Sequence, residues 1–144
     1  MIIKALVKTT KAGEKRIMKA ASTVVGGVNE AISDATLAVH EEAVRGIMKQ
    51  SPGESQIRYN PKRRVTASKP GDPPNVDLGT FVRSVQFDVD LKNGKGQVGT
   101  NDKRGPWFEF GTKNMAKHPW LTPALKNATK KIQKIFRNLK GQVK

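Results

Sequence analysis

The chain has no cysteine, which excludes disulfides, thiolate catalysis and cysteine-bound zinc and is compatible with a reducing compartment. Histidine is nearly absent too, with His40 and His118 alone, so a zinc site would need carboxylates gathered from several elements. Acid is scarce: 12 Asp and Glu face 27 Lys and Arg, a formal charge of +15 over 144 residues. Such a chain spreads its repulsion over a large surface or meets an acidic partner. No eighteen apolar residues run together, and the opening "MIIKALVK" is too short for a signal-peptide core and has no small-residue cleavage site behind it. A soluble, single-domain protein over 1–144 is expected, long enough to bury about two thirds of its unfolded surface.

What is present begins with a helical period through Val28, Ile32, Ala35, Val39, Ala43 and Ile47. The segment 1–27 before it is helix-friendly from Gly13, although Gly26-Gly27 weakens a helix enough to separate two. "QSPGES" ends this element, because Pro52 pushes Ser51 out of the helical region. Residues 52–79 then hold five of the eight prolines and the cations Arg58, Lys62, Arg63, Arg64 and Lys69. Excursions this long tend to be functional or disordered. This one is either an exposed loop or a hairpin arm in which "SQIRYN" pairs with "RRVTAS". With Tyr59, these cations are the candidate contact residues of the arm.

From Thr80 the spacing turns to two, through Phe81, Val85, Phe87, Val89 and Leu91, predicting a strand entered by a helical turn. Asn93-Gly94 signals a hairpin to a return strand through Val98. "WFEF", closed by Gly111, reads as a third strand. Thr122 as N-cap and Pro123 at the first helical position then open a C-terminal helix. Its predicted buried stripe is Leu125, Ala128, Ile132, Ile135, Phe136 and Leu139, and its other face is cationic, since no acid follows Glu109. Phe108, Phe110, Trp120, Leu121 and Leu125 are the expected core between this helix and the third strand. The fold class is α+β: a long N-terminal helix, an antiparallel sheet of three or four strands with a long loop or hairpin arm, and a C-terminal helix.

Chemical motifs are few. "GKGQVG" at Gly94–Gly99 spells a dinucleotide fingerprint, but it lies between two predicted strands and has no helix N-terminus to receive a pyrophosphate. "HEEAV" opens like a zinc-protease helix, yet Val44 stands where the second histidine would be. His118, beside Pro119, reads as a loop residue. Glu109, between Phe108 and Phe110, requires a Lys, an Arg or a backbone N–H to hold its charge. "NAT" at Asn127 sits inside a basic helix and carries no glycosylation signal. No catalytic residues, cofactor or metal are expected.

Two spaced blocks resemble a known family. "WFEFGT" with "AKHPWLTPAL" is similar to the "vEfGT … A-x-PFL-x-PAL" block of the small neck or tail-component proteins of tailed bacteriophages, which join a DNA-filled head to its tail. "SKPGDPPNVDLGTFVRSVQF" resembles that family's "PG-x-PP-x-DTG-x-L-x-x-S-I" segment, and the likeness spans roughly residues 28 to 139. The residues that carry it are Asp77, Gly79, Trp107, Glu109, Phe110, Gly111, Thr112, Pro119, Trp120, Leu121 and Pro123. Leu78 departs from the usual Thr, Trp120 from Phe, and Gly105-Pro106 from a Tyr-Ala pair.

The resemblance implies a non-enzymatic virion subunit in the neck or tail, assembled in the host cytoplasm. It implies a homo-oligomeric ring, a hexamer or a dodecamer, that contacts adjacent head-completion and tail proteins, with DNA in the channel as a further partner and no membrane. The competing expectation is a basic nucleic-acid-binding protein, because +15 and a cationic helix are the electrostatic footprint of phosphate binding.

Overall fold

The computed structural model describes residues 11–142, and side chains as far as residue 139. One helix, α1 (Lys11–Met48), runs unbroken through Gly26-Gly27. Gly27 explains its own presence, since a Cβ there would lie 2.8 Å from Leu139 Cδ1. The glycine marks the close crossing of α1 with the last helix, α4 (Leu121–Gln142), rather than a break. The two helices pack through small residues, with Ala38, Val39 and Ala128 buried between them and Leu121 and Ile132 against them.

Among the described residues four strands form two antiparallel hairpins. The arm pairs β1 (Ser55–Tyr59) with β2 (Lys62–Thr66), so the 52–79 excursion is ordered by a hairpin, and Arg58 stands directly opposite Arg63. A single helical turn, α2 (Thr80–Ser84), enters β3 (Val85–Asp90), which turns at Gly94 into β4 (Lys95–Thr100). The second hairpin lies on α1 at Gly96, where a Cβ would fall 1.7 Å from Thr36 Oγ1. Gly94 and Gly96 of "GKGQVG" therefore serve a turn and a close packing contact.

The run Trp107–Phe110 is not a strand. It belongs to α3 (Arg104–Phe110), whose start is fixed by the Arg104 N–H donating to Asp102 Oδ1 at 2.9 Å. Pro106 falls in the first turn, where an N–H has no intrahelical partner to lose. Four residues are too few to carry a reliable period of two. On the helix, Phe108 points inward, while Trp107 and Phe110 point out, and Phe110 is 80% exposed.

The core consists of Ala43 and Ile47 of α1, Phe81, Val85, Trp120 and Ala124, with Phe108 and Leu121 packed on it. Phe81 holds Phe108 and Trp120 edge-on, with ring centroids 4.9 and 5.4 Å away, and Trp120 Nε1 donates to the Gly105 carbonyl at 3.1 Å. Leu125 was an expected core residue but is 54% exposed, and Phe136 is exposed as well. Small Ala124 and Ala128 draw α4 so close to α1 that its large flanking side chains stay outside.

The molecule is extended. A compact monomer of 15.8 kDa exposes about 7,300 Å², whereas this chain exposes 11287 Å². Even if residues 1–10 and 143–144 are assigned the area of an unfolded chain, an excess of about 2,000 Å² remains.

Candidate functional site

The two sequence blocks of interest meet at the base of the arm, where hydrogen bonds fasten loop to loop. Ser51 donates its N–H to Asn75 Oδ1 at 2.6 Å and its hydroxyl to Asp72 at 2.5 Å, while Asn75 Nδ2 donates to the carbonyls of Ser51 and Thr66. The Gly71 N–H donates to the Lys117 carbonyl at 2.9 Å, and the His118 N–H to the Phe108 carbonyl at 2.6 Å. His118 Nδ1 lies 2.9 Å from Ser68 Oγ and 3.2 Å from the Asp72 carbonyl. Either contact ties the loop that follows the arm to the body.

Asp77 controls the arm's charge. Like charges directly opposite on paired strands repel, and the Arg58–Arg63 pair is answered by Asp77, which accepts from Arg63 Nε at 2.7 Å and Nη2 at 2.5 Å. The hydrogen bonds from the Arg63 guanidinium hold the Asp77 carboxyl below its ordinary pKa against the opposing penalty of burial, with the charges of Arg63, Arg58 and Arg104 adding lesser help. Gly79 follows with φ 74°, at the entry to α2. Arg63 is therefore held to the body, while Tyr59, Lys62, Arg64 and Lys69 are exposed. Between the arm and the body lies a cleft of about 500 Å³, bounded by Arg58, Arg63, Asp77, Phe81, Arg104 and His118.

Glu109 finds its partners in the first turn of α4. Its carboxylate accepts the N–H groups of Trp120 and Leu121 at 2.9 Å, the N–H of Thr122 at 3.0 Å and the Thr122 hydroxyl. Burial works to raise its pKa, but the Thr122 hydroxyl and the three backbone N–H groups outweigh it and leave the carboxyl below the ordinary range. The helix begins at Leu121, so Thr122 and Pro123 lie inside it rather than at its N-cap and first position. Thr122 caps indirectly, by giving its hydroxyl to Glu109. The chain reaches this geometry by leaving α3 at Gly111, with φ 77° and ψ 177°, and making a tight turn in which Thr112 and Met115 exchange backbone bonds. Pro119 then leads into the buried Trp120.

Comparison with protein-family models, curated proteins and solved structures finds no match.

The remaining chemistry is spread out. His40 sits against Phe87, with ring centroids 5.1 Å apart and Nε2 3.2 Å from the Val85 carbonyl. Among the described residues no three His, Asp or Glu side chains converge on a metal-sized site, and no helix is long and apolar enough to cross a membrane. Lys126, Lys130, Lys134 and Arg137 recur every three or four residues on the face of α4 turned from the core. The ion pair seen on this helix is Lys131 with Glu41 at 3.0 Å, on its flank. Sequence reasoning missed one feature. The apolar face of α1 continues outward through Ile17, Val24 and Val25, all exposed, in phase with Val28 and Ile32. That phase is present in the sequence, but the point at which cover stops is not.

Proposed function

We propose that this chain is a structural subunit of a multi-subunit assembly, specifically the neck or tail-completion ring of a tailed bacteriophage, with no catalytic role. The observation that carries the assembly is the excess surface. The body carries about 2,000 Å² more surface than its mass requires, and that surface includes the exposed apolar side chains Ile17, Val25, Trp107, Phe110, Leu125 and Phe136. A ring subunit needs two unlike flanks so that head-to-tail contacts close. The motif resemblance supplies the phage context. Its two blocks are the segments that fasten each other at the arm base, with Asp77 pairing Arg63 of the arm and Glu109 fixing the start of α4. Partners under this proposal are further copies of the chain and the adjacent head-completion and tail proteins, in the virion.

Complementation of a phage lacking this gene tests the proposal. Replacing the exposed arm residues Tyr59, Lys62 and Arg64 by Ser leaves the Arg63–Asp77 tie in place, and electron micrographs of the lysates are expected to show unjoined heads and tails. Normal virions from a folded arm variant would count against the arm as a contact.

A second reading, a nucleic-acid-binding protein, draws on the outward row of Lys126, Lys130, Lys134 and Arg137. If all four neutralise phosphates, log K against log salt has a slope of about −3.6 on duplex DNA. Replacing Lys126, Lys130 and Lys134 by Gln then reduces the slope to about −1. A joining defect with this slope unchanged favours the neck, and loss of function that follows the slope favours nucleic acid.

A further inference from the structure

Two unfilled apolar features occur on one chain, and each has the shape of the other's complement. The first is the outer half of α1, where Ile17, Val24 and Val25 are 60%, 39% and 58% exposed. The second is a groove of about 390 Å³ on the body, floored by Ile32 and Val39 of α1 and walled by Val98 of β4 and by Leu125, Ile132 and Phe136 of α4. The stripe from Ile17 to Val25 runs about 12 Å at 1.5 Å per residue, and the wall from Leu125 to Phe136 about 16 Å, so one fits along the other. The floor of the groove belongs to the same unbroken helix as the stripe. The outer half of α1 therefore cannot fold back onto its own groove.

We propose that the outer half of α1 of one copy docks in the α1–α4–β4 groove of a second copy, stripe to groove, as a repeating head-to-tail contact. This rests on the assembly proposed above and names the surfaces that form it. Lys15, Arg16 and Lys19 lie on the side of α1 away from the stripe, so docking buries none of them. A standard contact takes about 800 Å² from each partner, and a subunit engaged on both sides gives up about 1,600 Å². That fits within the excess surface of about 2,000 Å². Because stripe and groove are different surfaces, the contact is heterologous and leaves one of each free until a ring closes.

Sedimentation of the full chain over a wide concentration range, in high salt to screen its net charge, tests the contact. The wild type is expected to associate. A stripe variant (Ile17→Asp with Val25→Asp) and a groove variant (Leu125→Asp with Phe136→Asp) are each expected to be monomeric with wild-type melting curves, since all four side chains are exposed. An equimolar mixture of the two is expected to give dimers and nothing larger, because one intact stripe meets one intact groove. Should the groove variant melt early, Leu125→Ser takes its place.

Deletion of residues 1–10 is expected to leave association intact. Loss of association on that deletion, with the stripe variant still associating, assigns the groove to residues 1–10 and overturns the proposal. A wild type that stays monomeric, or a mixture that forms no dimer, overturns it as well. If both variants associate like the wild type, the docking mode is wrong while an assembly through other surfaces stands, and the virion complementation reports on that separately.

Discussion

Glu109→Ala removes a carboxylate that holds three backbone N–H groups and one hydroxyl at the start of α4. Loss of an N-terminal cap costs about 0.5–2 kcal/mol, and loss of a negative charge at a helix N-terminus a further 0.3–1 kcal/mol or so. Trp120 is buried, so its N–H has little water to turn to, and a total of about 2–3 kcal/mol is expected. For a domain of this size that lowers Tm by roughly 6–15 °C. Glu109→Gln keeps one carbonyl acceptor and loses the charge, so it falls between the wild type and Ala.

The pH dependence separates the charge from the shape. The folded pKa of Glu109 lies below its unfolded value, so its contribution is fully present above the unfolded value, about 4.3. It is lost as pH falls through the folded pKa. Melts by circular dichroism are therefore expected to show the wild type converging on Glu109→Gln with acid, while Glu109→Ala remains lowest. A gap between wild type and Gln that is absent at pH 7, or that stays constant from neutral to strongly acidic pH, would refute the capping role.

Trp120→Ala is expected to cost about 3–5 kcal/mol in thermal or denaturant melts, while Phe110→Ala and Leu125→Ala stay within about 1 kcal/mol of the wild type, because both are largely exposed. Gly96→Ala places a Cβ inside the contact radius of Thr36 and is expected to lose more than about 2 kcal/mol. Part of that loss returns in the Thr36→Ala background, and a double-mutant cycle with no coupling would remove the hairpin from this place on α1. Asp77→Asn unbalances Arg58 and Arg63, so amide exchange in β1 and β2 is expected to speed up with the rest of the protein unchanged. The difference shrinks at high salt, which screens the repulsion.

The sequence by itself determined the elements that rest on local rules. The long period from Val28 to Ile47 makes a helix wherever it is placed, Pro52 bounds how far it can run, Asn93-Gly94 turns a hairpin, and the strands of the arm are legible in "SQIRYN" and "RRVTAS". It also determined that Glu109 needs a partner, because a carboxylate among aromatics is costly unless hydrogen-bonded. It could not say which partner, since the N–H groups of Trp120 to Thr122 meet Glu109 only after Gly111 turns the chain back. Tertiary structure alone decided that Trp107–Phe110 is a helix, because a run that short has no period to read and its form is set by the Arg104 N–H bonded to Asp102 and by Phe81, which holds Phe108 on one side and Trp120 on the other. It decided, too, that Leu125 and Phe110 face outward and that Gly27 and Gly96 are contacts rather than breaks. An apolar position records only that a side chain avoids water. Whether its cover comes from the same chain depends on how closely two elements approach, and small residues on distant segments set that distance.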